Sequence, residues 1–142
     1  MQRTFWIVVL AVAVSIVAFP VGQALAATMG ASGKLTQQVA GGGVTVTATF
    51  LKEQADSTVI KLALDTHSVN LDGYTFDALA TLRDDSGKIY PVVAVEQASG
   101  GGHHRQAILR FAKVAPEAKT MELIVKDVAG VKERTFRWST TD

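Results

Sequence analysis

From residue 34 onward, apolar and polar positions take turns along the chain. Val44, Val46, Ala48 and Phe50 stand against Thr45, Thr47 and Thr49, the period of two that a half-buried strand rich in β-branched residues requires. Within 57–66, Ile60, Leu62 and Leu64 repeat the pattern against Lys61 and Asp65. Further strands are predicted at 76–83, 88–96, 104–111, 120–126 and 133–138, with a weaker one at 34–39 and no helix. Asp84-Asp85-Ser86-Gly87 is a hairpin turn and Ala129-Gly130 a tight one. Gly41-Gly42-Gly43 reads as a flexible connection, and Pro116 sits in the loop before the 120–126 strand.

Seven or eight short strands separated by turns predict an all-β domain, an immunoglobulin-like antiparallel β-sandwich. Tyr90, Phe111, Phe136 and Trp138 are its expected core or core-edge residues. Each antiparallel connection reverses the chain, so the end of the domain that every loop occupies can be counted. If the 44–50 strand runs upward, His67, Gly100 to Gly102, His103 and His104 all fall at the bottom, with both termini at the top.

The first residues read differently. Arg3 opens a short basic start, Phe5 to Phe19 is an apolar run broken by Ser15, Pro20 and Gly22 end it, and Ala24-Leu25-Ala26 has the small-x-small pattern read by a signal peptidase. Residues 1–26 are therefore expected to be a signal peptide cleaved before Ala27. The alternative is an uncleaved anchor, which disfavours itself by being shorter than the roughly 20 apolar residues of a membrane span. Residues 27–43 then form an N-terminal segment with the first weak strand, and 44–142 the sandwich. The expected location is outside the cytoplasm: periplasmic, extracellular or in the cell envelope. The membrane enters only if the segment stays uncleaved.

The chain has no cysteine, which excludes an acyl-cysteine anchor, disulfides and thiolate metal sites. Loss of residues 1–26 removes only Arg3 from the 14 Lys and Arg residues, leaving them equal in number to the 13 Asp and Glu. Such balance gives no steering towards nucleic acid. Lys132, Arg134 and Arg137 are interrupted by Glu133 and read as a solvated strand face.

All three histidines lie in Asp65-Thr66-His67-Ser68 and Ser99-Gly100-Gly101-Gly102-His103-His104-Arg105. Neutral imidazole suits copper, zinc or nickel, and a site without cysteine must combine it with carboxylates. His67 with His104 or His103 is the preferred set, Asp65 and Asp72 being the candidate oxygen ligands. His103 and His104 would face opposite sides of a regular strand unless the glycines bend the chain. The structural alternative is that His67 pins the 68–74 connection, Asp72 caps the Asp72-Gly73 turn, and Ser99 to Gly102 is a flexible tip. Met29 and Met121 are the only methionines beyond the signal segment, too few for a methionine-rich Cu(I) site, so Cu(II) or Zn(II) is expected. Catalytic patterns are missing: Ser68 lacks a nucleophile elbow, Gly41 to Gly43 precede no Lys-Ser or Lys-Thr, and Asp84-Asp85 is a turn facing solvent.

The stretch Thr66-His67-Ser68-Val69-Asn70-Leu71-Asp72-Gly73-Tyr74, with Gly101-Gly102-His103-His104-Arg105 and Arg134-Thr135-Phe136-Arg137-Trp138, resembles a group of small exported bacterial immunoglobulin-like proteins of unassigned function. The resemblance covers most of 44–138 and implies no catalytic or binding residue. The expected function is an exported, non-enzymatic module binding Cu(II) or Zn(II) through His67, His103, His104, Asp65 and Asp72. The alternative is a protein-interaction or structural module of the cell envelope without metal, its partner an envelope protein.

Overall fold

A computed structural model describes residues 34–141. The predicted signal segment 1–26, and residues 27–33 of the N-terminal segment, lie outside the described residues. The described part is all-β, with eight strands: β1 (Thr36–Gly41), β2 (Val44–Glu53), β3 (Ser57–Thr66), β4 (Ala80–Asp84), β5 (Ile89–Gly101), β6 (His104–Ala112), β7 (Thr120–Val128) and β8 (Val131–Ser139). One short helix, α1 (Phe76–Leu79), precedes β4.

The strands form one antiparallel sheet in the order β1-β2-β3-β6-β5-β4-β7-β8. Alternation decides what each strand contributes to the interior. Val44, Val46 and Ala48 of β2, Ile60, Leu62 and Leu64 of β3, Ala107, Leu109 and Phe111 of β6, and Leu123 and Val125 of β7 are all buried. Tyr90, Phe136 and Trp138 join them. Burying each of the large side chains contributes about 1.5 to 3 kcal/mol.

The sheet curls until its two edge strands face each other, nearly closing a barrel. Gln37 on β1 closes the seam by acting as a spare peptide group. Its Nε2 donates to the Arg137 carbonyl at 2.6 Å, and its Oε1 accepts from the Arg137 N–H at 3.2 Å. Trp138 Nε1 donates to the Leu35 carbonyl at 3.0 Å a little further along.

The structure departs from the sequence reading in five places. The predicted strand 76–83 divides into α1 and β4, because Phe76 and Leu79, three residues apart, are both buried and a single helical turn puts them on one face. β5 runs on to Gly101, where a loop was expected, by pairing with β6 through register shifts at Val92/Ala94 and Glu96/Ser99. Gly42 and Gly43 form a tight turn rather than a flexible one. Both have positive φ, as a two-residue type I′ hairpin turn demands. Arg134, read as part of a solvated face, is only 2% exposed, since it shares parity with inward Phe136 and Trp138. Asp84, read as solvent-facing, is 6% exposed.

Arg134 and Asp84 are held by several hydrogen bonds each. Arg134 Nη1 donates to the Val128 carbonyl at 3.0 Å and Nη2 to the Gly41 carbonyl at 2.6 Å, tying β1 to β7. Its Nε is buried without a hydrogen-bond partner among the described residues, and burial pushes its pKa down. Asp84 Oδ1 accepts from the Ser86 N–H, the Ser86 hydroxyl and the Lys88 N–H, and Oδ2 from the Tyr90 hydroxyl at 2.8 Å. The Ser86 hydroxyl bond leads in holding this carboxyl below its usual range, Tyr90 and the backbone N–H groups adding to it against burial.

Candidate functional site

Strand direction brings the histidine-bearing segments to one end of the domain. β3 ends where β6 begins, with Asp65 paired to His104, and β5 finishes beside the same residue, with Gly101 paired to His104. The β1–β2 turn also lies here, with Gly41 opposite Val44 and Val44 opposite Thr66. Lys34 and the close of β8 are at the opposite end, because Thr36 pairs with Thr49 and Ser139 with Thr120.

The hairpin tip is hydrogen-bonded on both sides. Gly102 and His103 make its two-residue turn, with positive φ at Gly102 alone of the two, the type II′ geometry that favours glycine first. A Cβ at Gly100 would sit 2.1 Å from the His104 carbonyl oxygen, so only glycine lets β5 approach β6 this closely. The Gly102 N–H donates to Asp72 Oδ1 at 2.7 Å, and its carbonyl accepts from the Leu71 N–H at 2.8 Å. The His103 carbonyl accepts from the Thr66 N–H at 2.9 Å.

The connection opposite the tip is pinned just as closely. Thr66 Oγ1 donates to the Gly43 carbonyl at 2.7 Å and accepts from the Ser68 and Val69 N–H groups. Asn70 Oδ1 accepts from the Asp72 N–H at 2.9 Å. Arg105 continues the inward parity of β6, and its Nη1 donates to the carbonyls of Leu71, at 2.8 Å, and Tyr74. Its guanidinium lies over the Phe76 ring, 5.2 Å from the centroid. The Tyr74 hydroxyl accepts from the Ala129 N–H at 2.9 Å, which joins the connection to the β7–β8 turn.

Within this frame the predicted residues divide into two groups. His67, His103, His104 and Asp65 line one groove of about 380 Å³, with Gly43, Thr45 and Thr66. Asp72 is not among the residues lining it, and its carboxylate holds the hairpin tip. Asp65 Oδ1 hydrogen-bonds His104 Nδ1 across the β3–β6 pair, both side chains being about half exposed. That contact favours a proton on Nδ1 and a lone pair on Nε2. Among the described residues, no three His, Asp or Glu side chains gather closely enough to hold one metal ion.

Thr66 and Arg105, which secure the site, were not singled out from sequence. The signal for Arg105 was available, since parity with Ala107 and Leu109 points it inward. Thr66 gave none, because its role depends on β1–β2 lying beside β3. A second groove, about 460 Å³, lies at the opposite end around Arg83, Glu122 and Arg137. There both guanidinium groups bond Glu122. Burial pushes the Glu122 carboxyl up, but the hydrogen bonds from Arg83 and Arg137 outweigh it and hold the group below its usual value.

Comparison with protein-family models, with curated proteins and with solved structures yields no match.

Proposed function

We propose that this chain is an exported, non-enzymatic binding module that takes a divalent transition metal, Cu(II) or Zn(II), at its histidine end. The observation that carries this reading is the Asp65–His104 contact. Histidines that ligate metals ordinarily give their other ring N–H to a carboxylate, which fixes the tautomer and raises the basicity of the ligating nitrogen. Asp65 is thereby the residue that orients His104, and His104 Nε2 is the donor. His67 or His103, on the same groove, supplies a second imidazole, while Asp72 keeps the tip in place.

Strand order supports reading this single curled sheet as immunoglobulin-like. The run β2-β3-β6-β5 followed by β4-β7-β8 repeats the A-B-E-D and C-F-G order of that fold, with β1 added beyond β2. Export rests on the basic start, apolar run and Ala24-Leu25-Ala26 pattern of residues 1–26. If that segment stays in a membrane, the histidine end points away from it, being opposite Lys34.

Calorimetric titration of the folded chain with Cu(II) and Zn(II) tests the reading. Binding should weaken about tenfold or more in His104→Ala and vanish when His67, His103 and His104 are all replaced by Ala. Equal affinity in the wild type and the triple variant contradicts it. A second reading, an interaction module of the envelope without metal, draws on Ile89, Val93 and Val95, which stand exposed along β5. It predicts a partner whose capture is lost on Val93→Lys and unchanged in the triple histidine variant.

A further inference from the structure

We infer that the histidine end is a half-site, and that one divalent metal ion joins two copies of this chain through it. The inference rests on the metal reading proposed above. Zn(II) takes four donors at about 2.0 to 2.1 Å for nitrogen, and Cu(II) likewise prefers several nitrogen and oxygen donors. The groove of a single chain spreads its donors. His67, His103 and His104 line it, yet no three His, Asp or Glu side chains among the described residues gather around one point.

The frame fixes the backbone of the tip and the ring of His104. Gly102 is held on both sides, its N–H by Asp72 and its carbonyl by Leu71. The His103 carbonyl is held by the Thr66 N–H, and the His104 ring by Asp65. With fewer than three of its own His, Asp or Glu side chains around one point among the described residues, one chain leaves positions in the ion's shell for donors from outside.

A second copy supplies donors of the right kind. The histidines are exposed at an extremity of the domain, beside the turn of a hairpin, where another molecule can approach closely. A two-fold axis through the ion would pair His104 with His104 of the partner subunit and double the donor set in one isologous contact. Charge allows the approach. Lys and Arg balance Asp and Glu beyond residue 26, so two copies carry no net repulsion, and the ion offsets the two Asp65 carboxylates it draws together.

Sedimentation velocity during a Zn(II) titration of the folded chain tests this. The dimer fraction should rise to a maximum at one ion for two chains and fall again in excess Zn(II), when each chain holds its own ion. His104→Ala should remove the dimer. A chain that binds Zn(II) and stays monomeric at every ratio overturns the half-site and leaves the metal reading standing. A chain that binds no Zn(II) overturns both, and a dimer that persists unchanged under a chelator overturns the half-site.

Discussion

Gly100 and Gly87 offer a matched pair of perturbations that weighs the closeness of β5 and β6 at the histidine tip. Their φ angles are nearly alike, +84° at Gly100 and +88° at Gly87. Alanine at either position is forced into the left-handed region, at about 1 to 2 kcal/mol. Loss of unfolded-chain entropy offsets about 0.4 to 1 kcal/mol of that. At Gly87 nothing lies within 4 Å of the added Cβ, so Gly87→Ala should cost about 1 kcal/mol or less. At Gly100 the Cβ meets the His104 carbonyl oxygen at 2.1 Å and its carbon at 3.0 Å. Those atoms are backbone, so relief requires β5 and β6 to part, adding about 1 to 3 kcal/mol as overpacking does. Gly100→Ala should therefore cost about 2 to 4 kcal/mol in urea unfolding. It should also loosen the Asp65–His104 contact, since the strand that carries His104 must move. Equal costs for the two variants would refute the close approach on which the rigid tip depends.

Arg134→Ala removes a buried guanidinium and strands the carbonyls of Val128 and Gly41, so stability should drop by about 3 kcal/mol or more. Arg134→Met keeps the packed stem and should recover part of that loss, and the comparison is read in the same urea experiment; a neutral Arg134→Ala contradicts the role of this residue as a tie between strands. Acid lability should follow from Asp84 and Glu122, whose carboxyls lie below their usual values of 3.8 and 4.5. The unfolded chain takes up these protons first, so their stabilisation is complete above about pH 4.5 and fades as pH falls through the lower folded values. Glu122→Gln should flatten the acid limb of a stability profile, and an unaltered limb would count against the Arg83–Glu122–Arg137 network. Metal binding should also weaken in acid, where protons compete with the ion for the ring nitrogens, and an affinity unchanged by acid would count against imidazole ligation.

The hydrophobic period made most of the fold legible. β2, β3, β6, β7 and β8 lie where alternation put them, and counting chain reversals brought all three histidines to one end. α1 escaped because four residues cannot display a helical period, and Phe76 and Leu79 suit a strand core equally well. The far half of β5 escaped because Gly100 and Gly101 signal a turn locally, whereas their pairing comes from β6. Arg134 and Asp84 were misread by composition: charge suggested solvent, and parity or a turn cap prevailed. At the site, the grouping of histidines was readable but the Asp65–His104 contact was not. It requires β3 to lie beside β6, two strands far apart in sequence, in a register set by packing of the whole sheet.

The most direct test of the account is the protonation of the His104 ring, read by long-range nitrogen–proton NMR on isotopically labelled chain with and without Zn(II). The proton should reside on Nδ1, against Asp65, and addition of Zn(II) should shift the Nε2 resonance while Nδ1 keeps its proton. A proton on Nε2, or an Nε2 resonance indifferent to Zn(II), would contradict the assignment of His104 as an oriented metal ligand.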